Sequence, residues 1–134
     1  MQEYGRILLP VPNKLAVIIL NWRIINMDFK DQPFIPMLFG GDINTYSVAR
    51  AFYEEYQVKT YVFGKFPSGP SYNSNIIEYH ADLKIDTDDV FMKTVRDFAA
   101  AHADKTVLTI GCGDSYVALC SRHKDEMPEN VVAP

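Results

Sequence analysis

The sequence predicts an α/β fold, an open and mainly parallel sheet with helices on both faces. Three observations carry this. From Phe34 onward short apolar runs alternate with amphipathic segments, the pattern of strand, helix, strand units. Glycines close the runs that end at Phe39, Phe63 and Ile110, where a strand must turn sharply into the next segment. The composition, 48% hydrophobic and 22% charged over 134 residues, is that of one globular domain, which we place at residues 33–134.

The first strand is Ile35 to Phe39 (IPMLF), ending at Gly40-Gly41; Pro36 predicts that its pairing begins late or that it lies on an edge. Asp42 is placed to cap a helix, on which Thr45, Val48, Ala49, Phe52 and Tyr56 share one face while Arg50, Glu54 and Glu55 point to solvent. Lys59 to Phe63 (KTYVF) has the consecutive apolar residues of a strand buried on both sides. Lys65 to Asn75, rich in Pro, Ser, Gly and Asn, is a loop leaving that strand's carboxyl end.

Ile76 to Tyr79 reads as a helical turn and Leu83 to Ile85 as a minor strand. Thr87 with Asp88 and Asp89 opens the clearest helix, carrying Phe91, Val95, Phe98 and His102 at helical spacing. Lys105 to Ile110 (KTVLTI) is a strand and Gly111-Cys112-Gly113 a tight turn. Asp114 or Ser115 then caps a helix with Leu119, Cys120 and His123 on one side, which Pro128 ends. Asn130 to Ala133 (NVVA) is a last strand.

Residues 1–26 read differently. The LAVIIL run at Leu15 to Leu20 is too short to span a bilayer, and Pro10, Pro12 and the lack of a small-residue cleavage site make a poor signal peptide. Trp22 is encoded by TGG, so an AGG codon for Arg23 would place GGAGG just upstream of Met27, the form of a bacterial ribosome-binding site. We therefore expect residues 1–26 to be leader outside the domain, with Met27 the true start; the alternative is a genuine N-terminal strand.

The balance of 13 basic against 17 acidic residues, net charge -4, argues against nucleic acid or a membrane surface as partner and for a small molecule or protein. Two cysteines, Cys112 and Cys120, make no disulfide framework, which points to the cytoplasm. Right-handed crossovers bring the loops after Phe39, Phe63 and Ile110 to one edge of the sheet, where open α/β sheets bind ligands. The expected substrate-binding residues are Gly40, Gly41, Asp42 and Asn44 from the first loop, Ser68, Ser71, Tyr72 and Asn73 from the second, and Gly111, Gly113, Asp114, Ser115 and Tyr116 from the third. Each has a plainer role beside that one: the glycines as turn formers, Asp42 and Asp114 as caps, Tyr72 and Asn73 as solvated loop residues. No residue is assigned as catalytic. His80, His102 and His123 lack metal-ligand spacing, so no metal site is expected, and neither a phosphate loop nor a nucleophile elbow is present.

Val107 to Gly113 (VLTIGCG) resembles the glycine-rich first motif of S-adenosylmethionine-dependent methyltransferases, but too little chain remains after it to supply that fold's later strands. A broader resemblance spans Phe34 to Pro134, through FIPMLFGGDINTYSVARAFYEEY, VFGKFPSGPSYNS, KTVLTIGCGDSYVALCSRHKDEM and PENVVAP. These segments, in order, resemble the N-terminal pre-ATP-grasp domain of bacterial ATP-grasp carboxylate–amine ligases of the D-aspartate ligase-like group. The resemblance implies a Rossmann-like domain forming one wall of a ligase cleft that holds a small amino-acid or carboxylate substrate. In such ligases ATP and Mg²⁺ sit in two further lobes, ATP phosphorylates a carboxylate, and an amine attacks the acyl phosphate. Those lobes are absent from this sequence, so the resemblance implies a fragment that binds neither ATP nor Mg²⁺, is inactive alone, and takes its ATP-grasp lobes from a separate or adjacent chain. The competing expectation is a stand-alone small-molecule-binding or protein-interaction module.

Overall fold

The computed structural model describes residues 28–134; the expectations for residues 1–26, leader or strand, lie outside the described residues. In chain order the elements are β1 (Phe34–Phe39), α1 (Ile43–Tyr56), β2 (Thr60–Gly64), β3 (Ile77–Ala81), α2 (Asp88–Ala101), β4 (Thr106–Gly111), α3 (Asp114–Arg122), a 3-10 turn (Lys124–Glu126) and β5 (Val131–Val132). The strands form one sheet in the order β3-β2-β1-β4-β5, and every pairing is parallel. This is the expected open, Rossmann-like α/β sheet with helices on both faces.

β1 is the central strand rather than an edge, because its apolar run has a face to bury on each side. Pro36 is accommodated by an offset: β1 pairs with β4 from Phe34 onward but with β2 only from Met37, so the missing amide falls where the β2 ladder has not begun. Alternation along β1 divides the interior in two. Ile35, Met37 and Phe39 join Phe91, Val95 and Phe98 of α2 and Leu119 and Cys120 of α3 on one face. Leu38 points the other way and joins Val62, Ile77 and Ala49 of α1. Phe39 anchors the first cluster, with ring centroids 4.6 Å from Phe91 and 5.6 Å from Phe63.

Two local expectations are corrected. Ile76 to Tyr79 is not a helical turn: Ile77–Ala81 is strand β3, paired in register with the whole of β2. Four residues hold too little periodicity to separate the two forms, and the open edge of β2 decides. Leu83 to Ile85 is not a strand but a turn held by Asp82, whose side chain accepts from the Lys84 amide (2.9 Å) and whose carbonyl accepts from the Ile85 amide (3.0 Å). It buries Ile85 and leaves Leu83 at the surface. The β2–β3 crossover therefore consists of loop alone, residues 65–76.

α2 starts at Thr87 as expected, although the Thr87 hydroxyl donates back to the Lys84 carbonyl instead of capping. Its end is tied down by Asn130, whose side-chain amide donates to the carbonyls of Ala99, His102 and Lys105 at 3.1 to 3.2 Å. α3 is capped by Gly113 rather than by Asp114 or Ser115, because the Gly113 carbonyl already accepts from the Tyr116 and Val117 amides at 3.0 and 2.9 Å. Asp114 is left in the first turn, where its charge suits the helix dipole.

Candidate functional site

β1, β2 and β4 reach the same edge of the sheet, with Phe39 level with Phe63 on one side and Gly111 on the other. Backbone bonds carry the pairing one residue further: the Gly40 amide donates to the Phe63 carbonyl (3.0 Å) and the Cys112 amide to the Phe39 carbonyl (2.8 Å). The three loops that leave this edge enclose an open cleft of about 560 Å³. Of the expected residues, Gly40, Gly41 and Asp42 line it from the first loop, Ser68 from the second, and Gly113, Ser115 and Tyr116 from the third.

The other six do not line the cleft. Asn44 and Asp114 are exposed in the first turns of α1 and α3. Gly111 is packed beneath α3, where an added Cβ would lie 2.6 Å from the backbone of Tyr116 and Val117. Ser71 is fully buried within its loop. Tyr72 is exposed, edge-on to Tyr79 with ring centroids 5.7 Å apart, and Asn73 is exposed beside it.

Lys65, Phe66, Tyr79 and Cys112 line the cleft without having been expected there. Lys65 had a readable signal, since it is the first residue past a strand end at the edge where ligands bind. Tyr79 had none, because its place depends on β3 being a strand.

The cleft has a defined charge pattern. The Lys65 ammonium lies 3.1 Å from the Asp86 carboxylate, and both side chains are about a third exposed, at 37% and 35%. Asp42 is occupied as a cap, its carboxylate accepting from the Thr45 amide (3.1 Å) and the Thr45 hydroxyl (3.2 Å). Burial, helped by the nearby Asp86 charge, pushes the Tyr116 phenol above its ordinary range; burial does the same for Tyr79, whose hydroxyl donates to the Phe66 carbonyl at 2.7 Å. Both phenols are therefore neutral near pH 7, and with the Tyr79 proton given to Phe66 it is Tyr116 that has a donor for a ligand. Burial likewise pushes the Cys112 thiol up, which disfavours the thiolate a nucleophile needs.

α1 and α3 both begin at the cleft, so the outward amides of their first turns and the positive ends of their dipoles face it. With Lys65 and the Tyr116 phenol, the arrangement can hold a small anion-bearing polar molecule. Among the described residues, no three His, Cys, Asp or Glu side chains are grouped as metal ligands. No helix among them is long and apolar enough to cross a membrane. The VLTIGCG motif lies on β4 and its turn, the fourth strand among the described residues rather than an opening one.

No protein-family model matches the chain, and no solved structure matches it. The chain is 34% identical over 108 residues to the D-aspartate ligase of Enterococcus faecium (strain Aus0004). That match takes in 78% of this chain but only 26% of the relative, so the chain spans about a quarter of the length of the ligase it matches. An all-parallel sheet with its cleft at the carboxyl edge, together with this similarity, identifies the chain as a D-aspartate ligase-like N-terminal domain.

Proposed function

We propose that the chain is the substrate-side domain of an ATP-dependent carboxylate–amine ligase of the ATP-grasp type, and that it is catalytically inactive alone. The observation that carries this reading is the cleft itself, a cation, the neutral Tyr116 phenol and two helix N-termini converging at the carboxyl edge of the sheet. Similarity to a D-aspartate ligase of which the shared region is only 26% supports it.

In this reading Lys65 and the first-turn amides of α1 and α3 neutralise a carboxylate of the bound amino acid. Tyr116 orients that molecule by hydrogen bonding, and the 65–76 loop screens it from water. ATP and Mg²⁺ belong to ATP-grasp lobes on the same or an adjacent chain, where ATP supplies the phosphoryl group that activates the carboxylate. The apolar rim residues Ile43 and Phe66, 60% and 57% exposed, suit the docking of those lobes over the cleft. A cytoplasmic location accompanies this reading and agrees with the two free cysteines, Cys112 and Cys120.

The test is calorimetric titration of the purified chain with Mg-ATP, then with D-aspartate and L-aspartate. The expected result is amino-acid binding without ATP binding, weakened about tenfold or more by Lys65→Ala, the loss of one charge-assisted contact. ATP binding to this chain would overturn the assignment of the nucleotide to other lobes. Absence of amino-acid binding would sink the substrate role and leave a protein-interaction module.

A further inference from the structure

The cation of the cleft does not stand free. Of the residues lining the cleft, Asp42 and Lys65 are charged, and the Lys65 ammonium lies 3.1 Å from Asp86, a carboxylate just beyond the lining. Asp42 adds a second negative charge, with its Oδ1 already accepting from the Thr45 amide and hydroxyl. One cation among two carboxylates is a poor receptor for a simple anion, since each carboxylate repels what Lys65 attracts. It suits a ligand that carries both signs.

The chain around Asp86 holds it in place. β2 and β3 end side by side, Gly64 opposite Ala81, and the Asp82 amide donates to the Gly64 carbonyl at 2.8 Å. Lys65 and the turn at 82–87 therefore leave adjacent strand ends. Ile85, buried in the core, fixes the residue before Asp86. The Thr87 amide and hydroxyl fix the residue after it, both donating to the Lys84 carbonyl, at 2.9 and 2.7 Å. One residue further, Asp88 takes the Arg122 guanidinium at 2.6 Å, which ties the turn to α3, the helix whose first turn carries Tyr116. The Asp86 charge is near enough to that phenol to help raise it. Asp86 thus acts on both the cation and the phenolic donor of the cleft.

We infer that Asp86 is a specificity-determining residue of the cleft: it takes the ammonium of an α-amino acid while Lys65 takes the carboxylate, so the site selects zwitterions over simple carboxylates and phosphates. This rests on the ligase reading above and deepens it by assigning the ammonium. An α-amino acid carries its ammonium and carboxylate on one carbon, two opposed charges in close contact, as Lys65 and Asp86 are. Laid across the pair with its charges reversed, it turns one ion pair into a closed ring of alternating charge. The pair it opens is easily disturbed, because its side chains are 37% and 35% exposed and ion pairs reached by water hold weakly. A dicarboxylate without the ammonium gains Lys65 but sets a like charge against Asp86. Asp86 acts in binding alone and takes no part in bond making.

The experiment is calorimetric titration of the full 134-residue chain with D-aspartate, with succinate and with inorganic phosphate at neutral pH. Succinate keeps the two carboxylates of aspartate and lacks its ammonium. The unaltered chain should bind D-aspartate about tenfold or more tighter than either anion, the worth of one charge-assisted contact. Asp86→Asn, which keeps the shape and removes the charge, should weaken D-aspartate and tighten succinate, so that the preference falls below about threefold. Asp86→Glu, which keeps the charge, should retain the preference. Succinate held as tightly as D-aspartate by the unaltered chain would overturn the inference without any variant. So would an Asp86→Asn chain in which both ligands weaken alike, the mark of a residue that only holds Lys65 in place. In both of those outcomes D-aspartate still binds and the ligase reading stands. Absence of binding by all three ligands sinks the ligase reading, and this inference with it.

Discussion

Two glycine turns, Gly40-Gly41-Asp42 between β1 and α1 and Gly111-Cys112-Gly113 between β4 and α3, look alike in sequence and join the same kinds of element, yet their glycines serve opposite needs. Gly40 has φ +144°, a conformation that side chains rarely adopt, and an added Cβ would lie 2.3 Å from the Thr45 hydroxyl. Gly111 is needed for space alone, because α3 starts directly over it. The first turn is capped by a side chain, Asp42; the second is closed by backbone, through the Gly113 carbonyl. The turns also touch, since a Cβ on Gly40 would come within 3.3 Å of the Cys112 carbonyl oxygen. Glycine content marks where a chain turns tightly, and only the neighbours reveal whether conformation or clearance demands it.

Substitutions at four positions separate these roles. Gly111→Ala should cost the most, about 3 kcal/mol or more by urea denaturation, because the obstacle is helix backbone that cannot rotate away. Gly40→Ala should cost about 2 kcal/mol, from backbone strain and displacement of a hydroxyl that can turn aside. Equal losses at the two positions would break the distinction between clearance and conformation. Asp42→Ala should cost about 1 kcal/mol, the usual value of a lost cap, and Asp42→Asn should recover most of it; a catalytic role would show no such rescue. Gly113→Ala should change stability by less than about 0.5 kcal/mol, since its nearest neighbour is 3.9 Å from the added atom and its φ of 161° is extended backbone.

The shared wall of the turns gives a finer probe. Burial raises the Cys112 thiol, so its alkylation by iodoacetamide should become fast only above the pH at which an unstructured cysteine reacts. Gly40→Ala, which presses on this residue, should shift that midpoint; Gly113→Ala should leave it in place. An unchanged midpoint in both would mean that the turns are independent.

The strands and helices with strong patterns were legible: β1, β2, β4, α1 and α2 lie within a residue or two of where the apolar runs and caps place them. Asp42 was readable as a cap because a carboxylate before an amphipathic run has little else to do there. β3 was not readable, since IIEY fits a turn of helix as well as a strand until β2 offers it a partner. That one element also hid Tyr79 from the expected cleft residues. Ser71 shows the converse: it belongs to a polar loop, yet the loop folds over it and buries it completely.

The sequence by itself determined the alternation of elements, the parallel class of the sheet and the edge at which three loops meet, because hydrophobic period, turn chemistry and crossover handedness are local or topological rules. It also determined the likeness to the ligase, which depends on residue order alone. Only the tertiary structure decided that β1 is central among the described strands and that Lys65 and Tyr79 face the cleft while Asn44, Asn73 and Asp114 do not. Those are facts about distance between residues far apart in the chain, and such distances are set by which strand edges and apolar faces find each other in space.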